Sequence, residues 1–200
     1  MKKFLTHGFL LACILLLTSC SVFSPVKLEA TNQYELKTIP HVPLARKTGA
    51  TLLVTQPITS SIFNTTLIAY TNRPYQISYF SKNQWIATPS EMLQTLLIQT
   101  LQNTHAFHAV TQTVANDSYG YLLTTQLIQL IQDFSYNPSV VRLTMDATLI
   151  KANTNHIIAS KRFSIVEPAL ENTPYGGVVA ANHASARLLE EVTLFCLRSI

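Results

Sequence analysis

Glycine is scarce in this 200-residue chain, with five residues, and charged residues make up only 12%. Five glycines are too few for a glycine-rich phosphate loop, and neither a Gly-x-Ser-x-Gly nor a His-Glu-x-x-His motif occurs. The charge content is about half the usual quarter, which excludes a disordered or coiled-coil chain. With 48% apolar residues, the chain can bury the core of one domain of ordinary size.

The first 20 residues have the order of a bacterial lipoprotein signal. Residues 1–3 carry a basic start, and residues 9–17 are an apolar run of about nine residues, whereas about 20 are needed to span a bilayer. The run ends in Leu-Thr-Ser-Cys, which resembles a lipobox, where the signal peptidase cuts before a diacylglycerol-bearing Cys and an N-acyl chain usually follows. We therefore predict that residues 1–19 are a cleaved signal peptide and that Cys20 is the lipid attachment site. The alternative is an ordinary signal peptide with a chance Cys at its end.

Lipidation predicts where the protein resides. Two or three acyl chains hold a domain stably on a bilayer, whereas a single chain does so only marginally. By resemblance to enterobacterial sorting rules, an Asp after Cys20 would favour the inner membrane, so Ser21 leaves the route to the outer membrane open. We expect an outer-membrane lipoprotein on the periplasmic face, with residues 20–32 as lipidated Cys and tether and residues 33–200 as a single domain.

The cysteines and the charge balance exclude two further classes of protein. Cys13 leaves with the signal peptide and Cys20 becomes a thioether, so Cys196 has no disulfide partner in the mature chain. Its expected role is that of a small buried apolar residue in the last helix. Removal of Lys2 and Lys3 lowers the formal charge from +4 to +2, so the charge indicates no nucleic-acid partner.

Strand patterns dominate the rest of the chain. Strands are predicted at residues 51–55, 66–70, 75–80, 107–110, 121–134, 141–149 and 156–166, and helices at residues 89–103 and 178–197. Residues 141–149 alternate apolar and polar side chains, as in a strand with one buried and one wet face. Thr88, Pro89 and Glu91 form the start signal of the first helix. The last three strands predict an antiparallel meander, and the order of elements predicts an α+β domain, a largely antiparallel sheet with two helices packed on one face.

No cluster of residues supplies catalytic chemistry, so we expect neither an enzyme nor a bound metal or cofactor beyond the lipid. His105 and His108 are three apart, but no Cys, Asp or Glu lies close in sequence to complete a metal site, which favours surface histidines. Glu190 and Glu191 are adjacent and point to different sides of a helix, as on a solvated face. The two glycines at residues 176–177 fit an anion-binding nest, although a flexible entry to the last helix is the more common use.

Aromatic residues are denser at residues 70–85 than elsewhere in the chain. Tyr70, Tyr75, Tyr79 and Trp85 are our candidate partner-binding residues, because Tyr and Trp are favoured at protein interfaces. The strands at residues 66–70 and 75–80 flank the turn signal Asn72-Arg73-Pro74 and are predicted to form a hairpin. The alternative interpretation is that Tyr79 and Trp85 are half-buried anchors that hold this hairpin onto the first helix.

The arrangement of several loose motifs resembles one known family. The motifs are Tyr34-Glu35-Leu36, Leu52-Leu53-Val54 with Pro57, Ile68-Ala69-Tyr70, Ile77-Ser78-Tyr79-Phe80, Trp85-Ile86-Ala87 with Pro89, the helix with Leu93, Leu97 and Leu101, Phe107-His108-Ala109-Val110, and Ile158-Ala159-Ser160-Lys161-Arg162-Phe163. In this order they resemble the ABC-type transport auxiliary lipoprotein family, the PqiC-like proteins, over most of the mature chain. Two positions depart from the family pattern, because Phe80 stands where a second Tyr is common and Gln84 where Arg often precedes the Trp.

The resemblance implies a non-catalytic role in lipid transport. Members of this family accompany ABC transporters with Mce-type ring proteins, which move phospholipids between the inner and outer membranes. The implied partners are therefore an Mce-domain protein and the ABC transporter subunits, with the lipoprotein as the docking component at the outer membrane. Self-association into a homo-oligomer stays open. Two alternatives remain: a periplasmic lipid carrier with its own acyl-chain pocket of about 300–1,000 Å³, and an envelope-assembly lipoprotein that activates a cell-wall enzyme.

Overall fold

The computed structural model describes residues 30–44, 46–113 and 119–200, and Thr31–Ile200 belong to one compact unit. The predicted signal peptide, Cys20 and most of the predicted tether lie outside the described residues. The strands are β1 (Asn32–Tyr34), β2 (Thr51–Val54), β3 (Ile58–Thr59), β4 (Leu67–Thr71), β5 (Ser78–Trp85), β6 (Ala109–Thr111), β7 (Tyr121–Asp133), β8 (Val140–Lys151) and β9 (His156–Pro168). The helices are α1 (Pro89–Asn103) and α2 (Pro174–Arg198). These elements confirm the predicted α+β class.

Strands β7, β8 and β9 form the predicted antiparallel meander, which is the longest part of the sheet. In β8, the fully buried Leu143 and Met145 alternate with the more exposed Arg142 and Asp146. One face of the meander is therefore packed and the other polar, as the period-two pattern predicts.

Short strands continue the sheet from the other edge of β7. Strands β2, β3 and β4 lie one after another along that edge, each parallel to β7. Strand β6 pairs with β2, and the predicted hairpin β4–β5 carries β1 on its outer side. The sheet is therefore mixed but largely antiparallel. It has a hairpin end, where β4 and β7 finish, and an opposite end, where β2, β6 and β7 begin.

Helix α1 begins at the predicted capping box. The Thr88 hydroxyl accepts a hydrogen bond from the Glu91 N–H at 3.4 Å, and the Glu91 carboxylate accepts one from the Thr88 N–H at 3.0 Å. The Thr88 hydroxyl also donates to this carboxylate, and these bonds hold the pKa of Glu91 below its ordinary value. Pro89 takes the first helical position, and Leu93 and Leu97 face the core.

Helix α2 begins at Pro174, four residues before the predicted start at Val178. Thr173 caps the helix, because its hydroxyl accepts from the Gly176 N–H at 3.0 Å. Pro174 then supplies the favoured first position. The missed start signal is thus the Thr-Pro pair, which the sequence prediction placed in a loop.

The two glycines of α2 lie inside its first turn, so the predicted flexible entry to the helix is wrong. A Cβ on Gly176 would lie 2.2 Å from the Glu171 carbonyl oxygen, and one on Gly177 would lie 2.1 Å from Gln132 Oε1. Gly176 leaves no room for a side chain because the helix approaches the backbone of the preceding loop, whereas a Cβ on Gly177 would displace the end of the Gln132 side chain of β7.

The space between the helices and the sheet is filled by aliphatic side chains. Leu123 and Leu143 of the sheet and Leu188 and Leu189 of α2 are fully buried in one core cluster. Helix α2 contacts β8, β9 and α1, so both helices share the packed face, with the small Ala184 allowing close approach. A cavity between α2 and the hairpin side of the sheet holds about 10 Å³, about the room needed for one water molecule.

Candidate interaction surface

The four aromatic residues predicted to bind a partner lie on hairpin β4–β5 but do not share one surface. Tyr75 is fully exposed in the turn, Tyr79 is 37% exposed, and Tyr70 is half-buried. Trp85 is only 3% exposed and belongs to the core, which suits the role of an anchor for the hairpin. Tyr70, Tyr75 and Tyr79 therefore remain as the surface candidates.

An aromatic cluster stiffens the base of the hairpin. Tyr70 stacks on Phe80 with 4.4 Å between ring centroids, and Phe134 meets Tyr70 edge-on at 6.0 Å. Such pairs contribute about 0.5–1.5 kcal/mol each beyond their buried area. The Tyr79 hydroxyl donates to the Ile62 carbonyl at 3.0 Å. Tyr70 and Tyr79 are thus held by contacts within the domain.

Tyr75 differs because its backbone is strained while its side chain is fully exposed. Its φ is 67°, in the left-handed region where glycine or asparagine is usual. For a bulky residue this conformation costs roughly 1–2 kcal/mol. Around it, Thr71 Oγ1 donates to the Arg73 carbonyl at 2.7 Å and Arg73 Nε donates to Gln76 Oε1 at 2.7 Å. Among the described residues, no hydrogen bond or ring contact involves the Tyr75 side chain.

A groove of about 520 Å³, here called the hairpin groove, lies between this turn and the polar face of the meander. The turn contributes Thr71, Arg73, Pro74, Tyr75, Gln76 and Ile77, and the meander contributes Gln129, Ile131, Asp133, Ser135, Tyr136 and Arg142. Tyr75 and Tyr136, both exposed, therefore belong to one concave surface with an apolar floor at Ile131.

A charged pair forms the wall of the hairpin groove on the meander side. Arg142 Nε donates to Asp133 Oδ2 at 2.9 Å, and its Nη2 donates to the Tyr136 hydroxyl at 2.8 Å. Burial raises the pKa of Asp133, but hydrogen bonds from Ser135 and Arg142 outweigh burial, so the pKa lies below its ordinary value. The same hydrogen bond from Arg142 to Asp133 raises the pKa of Arg142. Both partners are therefore charged at neutral pH, and the Arg142 guanidinium lies 5.0 Å from the Tyr136 ring centroid.

Sequence reasoning missed Asp133, Tyr136 and Arg142 as members of this surface. The alternation in β8 assigns Arg142 to the wet face, but it does not show which residues of β7 lie beside it. Only the register of β7 against β8 brings Asp133 next to Arg142.

Polar pairs continue from the hairpin groove along the outer face of the meander. Arg162 donates two hydrogen bonds of 2.7 Å to Asp146, and the hydroxyls of Thr148 and Ser160 lie 2.9 Å apart. The bonds from Arg162 hold the pKa of Asp146 below its ordinary value. This face is therefore wet and hydrogen-bonded.

The remaining residues singled out in the sequence lie elsewhere. His105 and His108 are exposed beyond the end of α1, and Glu190 and Glu191 are exposed on α2. In the described ranges, no three His, Cys, Asp or Glu side chains are placed to hold a metal ion. Cys196 is fully buried in α2 as predicted, and burial raises the pKa of its thiol to about 12. No helix among the described residues is both long and apolar enough to cross a membrane.

These features define an α+β domain with a grooved, tyrosine-bearing surface on one end of its sheet. A model of the ABC-type transport auxiliary lipoprotein component family matches residues 34–193, and the chain therefore belongs to this family. Membership makes it a lipoprotein anchored to a membrane of the cell envelope and an auxiliary component of ABC-type transport, with transporter subunits as partners.

Solved structures with little sequence identity share the fold. A Xanthomonas campestris protein of family DUF330 has a TM-score of 0.77 at 16% identity, covering 84% of this chain and 96% of its own. A second, uncharacterized protein has a TM-score of 0.67 at 14% identity, covering 84% and 99%. A hypothetical protein from Chlamydia trachomatis has a TM-score of 0.53 at 5% identity, covering 74% and 96%. At these identities the likeness shows the fold alone, and no curated protein matches the chain.

Proposed function

We propose that the chain is a non-catalytic docking component of an Mce-type ABC phospholipid transport system, anchored to the periplasmic face of the outer membrane. Family membership supports an auxiliary role in ABC-type transport. The lipobox-like end of the signal supports lipid attachment at Cys20, cleavage of residues 1–19 and a tether over residues 20–32. Ser21 supports the outer membrane as the destination.

The observation that carries the docking role is Tyr75. Its left-handed backbone conformation destabilises the fold, and the fully exposed ring gains no burial within the domain that would offset this strain. Strained residues of this kind cluster at functional sites. Tyr75 lies beside a groove that also contains Tyr136 and Arg142, and Tyr and Arg are among the residues enriched at binding hot spots.

The filled core favours docking over the alternative of a lipid carrier. A carrier that holds an acyl chain between its helices and sheet needs a pocket of about 300–1,000 Å³ lined by apolar side chains. The cavity between α2 and the sheet holds about 10 Å³. The domain would have to open its leucine-rich core to accept a chain there.

A pull-down from detergent-solubilised envelopes tests the proposal. The bait is the Cys20-anchored protein, compared with Tyr75→Ser and with Leu44→Ser, which removes another exposed apolar side chain outside the hairpin groove. We expect the wild type and Leu44→Ser to retain an Mce-domain protein or ABC subunits, identified by mass spectrometry, and Tyr75→Ser to retain about tenfold less.

Two outcomes would count against the docking role. Recovery of cell-wall synthesis enzymes alone would favour the envelope-assembly alternative. Stoichiometric phospholipid retained in the interior of the domain, with equal partner recovery by all three baits, would favour the carrier. The size of the eluted complex reports whether the protein self-associates.

A further inference from the structure

A second large groove lies at the opposite end of the sheet from the hairpin groove. It holds about 730 Å³, and its lining includes Lys47, His105, Phe107, His108 and Val110. We call it the basic groove, because its described lining contains three basic side chains and no acidic one.

Backbone hydrogen bonds make the rim of the basic groove rigid. The Thr48 N–H donates to the Ala106 carbonyl at 2.7 Å, and the His108 N–H donates to the Ala50 carbonyl at 2.9 Å. The segment before β2 and the segment after α1 therefore run side by side. Lys47 projects from the first segment, and the two histidines project from the second.

His105 occupies a backbone position that normally belongs to glycine. It follows the C-cap Thr104 of α1 with a φ of 53°, and its N–H donates to the Gln102 carbonyl at 3.0 Å. At this position a helix most often places Gly in the left-handed conformation, because a side chain is strained there. The His105 side chain is exposed and forms no hydrogen bond with a described residue, so no such bond offsets the backbone strain.

The charges around the basic groove are not neutralised from within the described chain. Lys47, His105 and His108 are exposed, and none of them forms an ion pair or side-chain hydrogen bond with a described residue. Arg46 precedes Lys47 and is exposed as well. In contrast, the carboxylates that form ion pairs, such as Asp133, face other parts of the surface.

We propose that the basic groove binds the phosphate group of a small phosphorylated ligand. Lysine and protonated histidine form charge-assisted hydrogen bonds to phosphate oxygens, and a tetrahedral phosphate can meet donors from both sides of the rim at once. Phe107 and the buried Val110 lie beside these donors and suit the apolar part of a phosphate ester. The volume is that of a small-molecule site. The site stands independently of the docking role, because it uses other residues at the other end of the sheet.

Equilibrium dialysis of the full lipidated protein in a neutral detergent tests the site. The probes are radiolabelled inorganic phosphate and glycerol 3-phosphate, and a third arm measures phosphatidylglycerol retained from mixed micelles by native mass spectrometry. The test variant is Lys47→Gln/His105→Gln/His108→Gln. The matched control is Lys37→Gln/His41→Gln/His183→Gln, which replaces the same residue types at exposed positions outside the groove.

We expect the test variant to bind at least one probe about tenfold more weakly than the wild type and the control. Loss of the two water-soluble probes would identify a free phosphate compound as sufficient, whereas loss of phosphatidylglycerol alone would identify a lipid headgroup. No binding of any probe to the wild type, or equal binding by the test variant, would overturn the proposal.

The single variant His105→Gly separates binding from folding. Glycine relieves the left-handed strain, so the midpoint of thermal unfolding should stay the same or rise. Phosphate binding should nevertheless weaken several-fold. A variant that unfolds earlier, with unchanged binding, would assign His105 a purely structural role and count against the site.

Discussion

Asn182 of α2 holds the backbone of Lys37, and with it the N-terminal segment, against the domain. Its side-chain oxygen accepts a hydrogen bond from the Lys37 N–H at 2.9 Å, and its side-chain nitrogen donates to the Glu35 carbonyl at 3.0 Å. Between these two residues, the Leu36 side chain is buried in the core. The segment that follows β1 is therefore held to the domain by the Asn182 amide and the buried Leu36, in addition to the pairing of β1 with β5.

Replacement of Asn182 by Ala should loosen this junction without unfolding the sheet. Asn182 Oδ1 also accepts from Thr38 Oγ1 at 3.2 Å, so the substitution removes three hydrogen bonds to this segment, at an expected cost of about 1–3 kcal/mol. The backbone amides of residues 35–38 should exchange with solvent faster, as measured by hydrogen–deuterium exchange. Asn103→Ala is the control, since Asn103 is exposed and bonds to no described side chain. Unchanged exchange in Asn182→Ala would show that the Asn182 amide does not hold the segment, which would leave Leu36 and the β1–β5 pairing to do so.

The two glycines of α2 should differ in their tolerance of a methyl group. Gly176→Ala places Cβ against the Glu171 backbone, which cannot move without shifting the loop, whereas Gly177→Ala meets the end of the Gln132 side chain. We expect a loss of about 1–3 kcal/mol for overpacking at either site, greater for Gly176→Ala. Urea unfolding of both variants measures the two losses of stability and shows which is larger.

A second substitution distinguishes these clashes. Gln132→Ala removes the side chain that Gly177→Ala strikes, so the double variant should be less destabilised than the sum of the two single variants. Combined with Gly176→Ala, the same substitution should give an additive loss. Additivity in both pairs would mean that Gln132 does not limit the approach of α2 to β7.

The Asp133–Arg142 pair predicts a pH dependence of stability. The native pKa of Asp133 lies below its ordinary value, so its stabilising contribution is present above about pH 4 and is lost as the pH falls through the native pKa. Asp133→Asn should therefore be less stable than the wild type at pH 7, by about 1–3 kcal/mol. The difference should shrink toward pH 3.

Chemical unfolding at several pH values measures this difference. Glu190→Gln, on an exposed face of α2, serves as the control and should follow the wild type throughout. A gap between Asp133→Asn and the wild type that stays constant from pH 7 to pH 3 would show that the ionised carboxylate does not stabilise the fold.

The meander and helix α1 could be predicted because their signals are local. A nine-residue alternation assigns β8 to a one-sided strand, and Thr88 with Glu91 assigns the start of α1. The parallel pairing of β2, β3 and β4 with β7 could not be read in this way, because each contact joins residues about 60 to 70 positions apart and leaves no periodic signal. Strand β3 has only two residues, too few for a pattern.

The candidate surfaces were predictable only in part, for the same reason. Tyr75 is visible in the sequence as an aromatic beside a turn, but its φ and its full exposure are properties of the folded hairpin. Trp85 is also visible in the sequence as an interface candidate, but in the folded domain it packs into the core. His105 and Lys47 are 58 positions apart in the sequence, and they share a groove because Thr48 bonds to Ala106.

The burial of Cys196 predicts that its thiol is unreactive until the domain unfolds. Burial raises its pKa to about 12, and only a thiolate reacts rapidly with a disulfide reagent. At pH 8 the native lipidated protein should show no reactive thiol with Ellman's reagent. In guanidinium chloride it should show one per chain, if Cys20 is lipidated and Cys13 is removed with the signal peptide as we propose. Two thiols in the unfolded protein would contradict lipidation or cleavage, and one fast-reacting thiol in the native protein would contradict the packing of Cys196 in α2. The variant Cys196→Ala should show no reactive thiol when unfolded. Any thiol that it does show must belong to Cys13 or Cys20, which distinguishes incomplete processing from an accessible Cys196.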